Sequence, residues 1–184
     1  MNWRLFTVIF LATFGLSFSA LASLGDFHLL GNHQDYQPQQ PIAYSHALHA
    51  GQLGIACEYC HSGAGESRHA SVPSLSTCMN CHEQVKGSTA TGQAEIQKIA
   101  RMHAANEPVR WVRVHNLPDF VYFNHSAHVN KKVACQTCHG NVQDMAVVKQ
   151  FSDLSMGWCV NCHRTQNAQD PKLNAPLDCD ACHR

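Results

Sequence analysis

Apolar residues are spread along the chain in three different ways, and each predicts a different element. From Leu5 to Leu21 they run almost unbroken behind the singly charged start Met1-Asn2-Trp3-Arg4. A charged start, an apolar run and the small-residue site Ala20-Leu21-Ala22 describe an export signal, with cleavage expected after Ala22. Taken on to Leu24, the same run gives about the twenty residues a membrane helix needs, so an uncleaved anchor is the competing reading. Thr7, Thr13, Ser17 and Ser19 dilute the run and favour cleavage. Both readings put the chain after residue 22 on the periplasmic side of the cytoplasmic membrane, soluble or held by its N-terminus. No other stretch is long and apolar enough to span a bilayer.

The second pattern is helical. Ile96, Ile99, Ala100 and His103 stand at i, i+3, i+4 and i+7, which predicts a short amphipathic helix over Thr91 to Ala105 with His103 on its packed face. Pro108 then opens an extended segment, Val109 to His115, that ends at Leu117-Pro118. The rest of the chain keeps neither period, so short helices, long loops and little sheet are expected.

What fills these loops is unusual. There are 14 histidines and 10 cysteines, and every cysteine falls in one of five Cys-x-x-Cys-His motifs. They are Cys57-Glu-Tyr-Cys60-His61, Cys78-Met-Asn-Cys81-His82, Cys135-Gln-Thr-Cys138-His139, Cys159-Val-Asn-Cys162-His163 and Cys179-Asp-Ala-Cys182-His183. The two-residue gap lets both sulfurs reach the vinyl groups of one haem, and the adjacent His binds its iron. Disulfides would account for an even cysteine count in an exported chain but not for a His after every second Cys. Zinc would take His at variable spacing. A thioredoxin-like redox pair needs one motif in a βαβ setting. Five c-type haems are therefore expected, with His61, His82, His139, His163 and His183 as proximal iron ligands.

Nine histidines remain: His28, His33, His46, His49, His69, His103, His115, His125 and His128. Two matching groups stand out, Tyr44-Ser-His46-Ala-Leu-His49 and Phe123-Asn-His125-Ser-Ala-His128, each shortly before a motif. Spacing of i, i+3 puts both imidazoles on one side of a helical turn, where they can serve different haems. His46, His49, His125 and His128 are thus the leading distal ligands. His115 and His69 are further candidates, and His28 and His33 read as surface residues. Met145 and Met156 are alternative soft ligands, which would give one His/Met haem of higher potential.

The motif pairs repeat: Leu75-Ser-Thr-Cys78 echoes Leu154-Ser-Met-Gly-Trp-Cys159. This divides the chain into the signal or anchor (1–22), a first two-haem unit (23–90), a connecting helix and extended segment (91–116), and a second unit with three haems (117–184). About 160 mature residues give roughly thirty per haem, too few for a conventional core around each. The macrocycles are expected to be the core. Lys plus Arg equals Asp plus Glu at 13 each, so nothing marks a nucleic-acid partner. Haem propionates would make the loaded protein acidic, with Arg110, Arg113, Lys131 and Lys132 available to pair with them.

The stretch from Tyr36 through Tyr44-Ser-His46-Ala-Leu-His49, the Cys78-Met-Asn-Cys81-His82 site, Trp111-Val-Arg-Val-His115-Asn-Leu-Pro-Asp-Phe-Val-Tyr-Phe-Asn-His125-Ser-Ala-His128 and Leu154-Ser-Met156-Gly-Trp-Cys159 resemble the pentahaem cytochrome subunit of alternative complex III. The likeness covers nearly all of Tyr36 to Arg184, inter-motif segments included. It implies a class III-like multihaem cytochrome fold in which aromatic-x-His-x-x-His elements supply distal ligands, supporting His46, His49, His125 and His128. The shared Trp111-to-Phe123 block lends weight to His115 and to Met145 or Met156. It also implies a role in quinol oxidation, beside iron-sulfur or molybdopterin-like and quinol-binding membrane subunits, with a mono-haem cytochrome c or a terminal oxidase as acceptor. Members of that family are usually held by an N-terminal membrane helix, whereas this N-terminus looks at least as cleavable as anchoring.

No bond-making site is visible, so the expected role is electron transfer without catalysis. A free periplasmic shuttle is the nearest alternative. A nitrogen-oxide-converting multihaem enzyme is the more distant one, since it needs a haem with an open distal position.

Overall fold

Each Cys-x-x-Cys-His motif folds as one helical turn or as part of a longer helix. In the computed structural model, which describes residues 33–183, the α-helices are α1 (Cys57–Cys60), α2 (Leu75–His82), α3 (Ala90–Ala104), α4 (His125–Val129), α5 (Cys135–His139), α6 (Met156–Gln169) and α7 (Cys179–Cys182). A π-helical turn spans Ala47–Gln52, and 3-10 turns span Ser62–Gly65 and Val142–Asp144. The signal or anchor segment and His28 lie outside the described residues. None of the described helices is long and apolar enough to cross a membrane.

The motif spacing itself closes the turn. The His61 backbone N–H donates to Cys57 O at 2.9 Å, and His183 N–H donates to Cys179 O at 2.9 Å. The two longest helices carry side-chain caps: Thr89 accepts from Gly92 N and Ser155 from Trp158 N, each at 3.1 Å.

Helix α3 starts within one residue of its expected start and packs on α2, but its seam is turned. Ile42, Met79 and Ile99 are buried together, with Leu75, Cys78, Ala100, Met102, Val109 and Trp111 around them. The seam leans toward Met102, three residues after Ile99, and not toward His103, four after. His103 is therefore exposed, with Nε2 3.4 Å from Ser76 Oγ. This corrects its expected place on the packed face.

No strand forms among the described residues; one antiparallel bridge joins Val121 to His183. The extended segment after Pro108 is held by side-chain amides in place of a sheet. Gln40 Nε2 donates to Val112 O and Gln40 Oε1 accepts from Val112 N, both at 2.9 Å. Gln150, wholly buried, does the same for three segments at once. Its side chain accepts from Asn116 N and donates to Ser152 O, both at 3.0 Å, while its backbone pairs with Asp35 N at 2.8 Å and Tyr36 O at 3.1 Å. A buried amide is tolerable only when satisfied in this way.

The two repeats are laced together. Ser126 N donates to Ser67 O at 3.0 Å, His125 N to Arg68 O at 3.3 Å, and Ala47 N to Met145 O at 2.9 Å. Polypeptide alone buries little: Ile42, Met79, Ile99 and Val114 are the buried hydrophobic side chains among the described residues.

Candidate haem sites

The two aromatic-x-His-x-x-His elements form the same construction twice. Tyr44 meets His46 edge-on (4.9 Å between ring centres, 87°) and stacks on His49 (4.4 Å, 23°). Phe123 meets His125 edge-on (4.8 Å, 89°) and stacks on His128 (4.6 Å, 28°). One aromatic ring thus fixes two imidazoles in different orientations, as two differently placed irons require.

Most of these imidazoles have their Nδ1 committed to a backbone carbonyl. His49 donates to Ser45 O at 2.9 Å and His128 to Asn124 O at 2.8 Å, each to the carbonyl four residues back. His125 donates to Arg68 O at 2.8 Å, His61 to Ser71 O at 2.7 Å, His82 to Val85 O at 3.0 Å and His163 to Pro176 O at 2.6 Å. A ring whose Nδ1 carries the proton presents a lone pair on Nε2, the state an iron ligand must be in.

The spacing of the rings fits an iron between them. Two imidazoles binding one metal at about 2.0–2.1 Å each, with roughly 1.1 Å more from nitrogen to ring centre, have centres about 6.2–6.4 Å apart. His49 and His82 are 6.1 Å apart, His125 and His139 6.4 Å with planes only 6° apart, and His128 and His163 6.1 Å. His46 lies beside His61: burial first, then His61, pushes its imidazole down to about 4. Its buried Nδ1 has no hydrogen-bond partner in the structure.

His115 and His139 form a different contact. Their ring centres are 4.4 Å apart at 79°, and His139 Nδ1 lies 3.1 Å from His115 Nε2. Burial first, then the neighbouring imidazoles His115 and His125, pushes His139 down to about 4, and burial followed by His125 lowers His115. His183, the fifth proximal candidate, packs its ring against Phe120 at 5.7 Å, and its neighbour Cys182 accepts from Tyr122 N at 2.8 Å. His69 and Met156 are exposed and Met145 is half-buried; none of the three joins the ring pairs.

No disulfide joins any two of the ten cysteines. Among the described residues no three His, Cys, Asp or Glu side chains converge as a zinc site requires. Burial raises the Cys60 thiol, with Cys57 and Cys81 adding to it, and Cys78 is raised by burial and then by Cys60. Cys135 is raised by burial and then by Cys57. Cys138 is pushed up to about 11 by burial and then by Cys162 and Cys159, and Cys159 is raised by burial and then by Cys182. The motifs therefore neighbour one another in the order second, first, third, fourth, fifth.

This donor set fits haem: paired thiols one helical turn apart, an adjacent imidazole, and a facing imidazole at iron-spanning distance. Sequence reading identified the donors but not the carbonyls on Nδ1. For His49 and His128 the signal was present, since a His within the first turn of a helix can reach the carbonyl four residues back.

Residues 121–184, which hold the third, fourth and fifth motifs, match the family described as cytochrome c7 and related cytochrome c. Over 168 residues the chain is 27% identical to the "Menaquinone reductase, multiheme cytochrome c subunit" of Nitratidesulfovibrio vulgaris (strain Hildenborough), covering 80% of this chain and 78% of that protein. With the motifs they accompany, these similarities make the chain similar to multihaem cytochromes c, electron-transfer proteins that carry covalently bound c-type haem.

Proposed function

We propose that the chain holds five c-type haems, one per motif, and works as the electron-transfer subunit of a quinone-linked respiratory complex on the periplasmic side of the membrane. The observation that carries the haem reading is the imidazole spacing of 6.1, 6.4 and 6.1 Å in three of the motifs. Bound haem supplies one-electron redox chemistry between ferric and ferrous iron.

The chain's own residues do the rest. Cys57 and Cys60, Cys78 and Cys81, Cys135 and Cys138, Cys159 and Cys162, and Cys179 and Cys182 form the thioether anchors. His61 with His46, His82 with His49, His139 with His125 and His163 with His128 would hold the irons of the first four motifs. His183 would hold the fifth iron. The backbone carbonyls on Nδ1 hold six of these rings in one tautomer and orientation.

The complex is read from two likenesses. The resemblance to the alternative complex III cytochrome supports quinol oxidation, with iron-sulfur and quinol-binding subunits as neighbours and a mono-haem cytochrome c or an oxidase as acceptor. The relative from Nitratidesulfovibrio is named as a menaquinone reductase subunit; quinone exchange is common to both. Purification from detergent-solubilised membranes tests this. Co-purification with iron-sulfur and quinol-binding subunits, and reduction of the haems by quinol, are expected. Recovery of the chain alone in the soluble periplasmic fraction would replace the subunit reading with a free shuttle.

A further inference from the structure

We infer that His115 is the residue that holds and polarises the proximal imidazole of the third motif, His139, and is not itself an iron ligand. This rests on the reading of His139 as a proximal ligand. If His139 Nε2 faces iron, its Nδ1 carries the ring proton and must donate it. The acceptor at 3.1 Å is His115 Nε2. An Nε2 occupied in this way cannot also bind iron, and Nε2 is the nitrogen that His49, His125 and His128 leave open, which separates His115 from those candidates.

The arrangement departs from the six rings whose Nδ1 reaches a carbonyl. At the third motif the acceptor is a side chain, delivered by a segment fixed on both sides. Val114 is buried, Asn116 N is held by the wholly buried Gln150, and Val112 is clamped at both backbone atoms by Gln40. A ring carried on so constrained a stretch is built to be in one place.

Two consequences follow from this contact. Donation from Nδ1 makes a bound imidazole more basic and favours ferric iron, so it lowers the potential of that haem. The contact also fixes the plane of His139, which lies within 6° of His125. Relative imidazole orientation is read directly in the ferric low-spin resonance spectrum.

The test uses haem-loaded wild type, His115→Leu and His115→Gln, with haem content by pyridine haemochrome, low-temperature resonance spectra and redox titration on the same samples. Leu is expected to keep every haem low-spin while raising one potential and moving one low-spin signal. Gln, whose side-chain oxygen can accept from His139, is expected to return both toward wild type. A new high-spin ferric haem in either variant overturns the proposal, because His115 would then be a ligand. So does a set of potentials and spectra unchanged by Leu. If Leu fails to mature, Gln alone decides between near-wild-type spectra and a high-spin haem. A wild type lacking haem at the third motif overturns the ligand reading beneath it instead.

Discussion

The rings of His49 and His82, from the π-helical turn and the end of α2, face each other with centres 6.1 Å apart. The equivalent pair of the second repeat, His128 and His163, has the same 6.1 Å spacing. Replacing His49 with Ala is expected to convert one low-spin haem to a high-spin form that binds cyanide or carbon monoxide, leaving the others unchanged. His128→Ala should do the same at the fourth motif, and the double variant should show two high-spin haems. Visible and resonance spectra of the three proteins check this; an unaltered spectrum for either single variant would remove that residue from the ligand set.

Tyr44 does with its ring what Phe123 does in the other repeat, so Tyr44→Phe should keep all haems low-spin. Tyr44→Ala should loosen both His46 and His49 and cost at least the ~1 kcal/mol of an aromatic pair. The phenol is pushed up to about 12, by burial first and by Cys60 and Cys78 next. Thioether formation removes the cysteine charges and leaves burial as the cause. A folded value above the unfolded value of about 10 means this contribution to stability is full below pH 10 and falls as pH rises. Denaturation measured across alkaline pH should show that loss in the wild type, and Tyr44→Phe should lack this component.

Gly140 ends α5 with φ +68° and ψ −168°, and a Cβ there would lie 2.6 Å from Phe151 Cγ. Gly140→Ala should destabilise by about 1–3 kcal/mol through the strained backbone alone, with the clash added. Phe151→Ala in the same chain should remove the two closest contacts, at 2.6 and 2.8 Å, but not the strain. Thermal melts of the haem-loaded single and double variants separate the two.

Haem propionates add negative charge that the residue count omits. The haem-loaded protein should therefore focus below the sequence value of 7.2. Arg110, Lys131 and Lys132 are exposed, as expected of bases free to meet propionates, while Arg113 reaches Asn116 Oδ1 at 3.4 Å. Isoelectric focusing before and after haem loading measures the shift.

Much of the site was legible in sequence because its chemistry is local. The gap between Cys57 and Cys60 and the spacing from His46 to His49 are fixed within one helical turn. Helix α3 was visible in its period, though His103 was misplaced, because only the docking of α2 decides which side of Ile99 is covered. The pairing of His125 with His139 depends on Ser67 and Arg68 meeting Ser126 and His125. The contact between His115 and His139 depends on Gln150 and Gln40, which are far from His115 in sequence. Hydrogen bonds between distant segments leave no periodic trace, so neither these contacts nor the order of the motifs was readable from the chain.

The central claim, one haem per motif, is tested most directly by the intact mass of the protein made in cells with a c-type maturation system. The account predicts a mass gain of five haems and no thiol left to react with an alkylating reagent. Fewer haems, with alkylatable thiols or disulfides at any Cys-x-x-Cys-His motif, would contradict it.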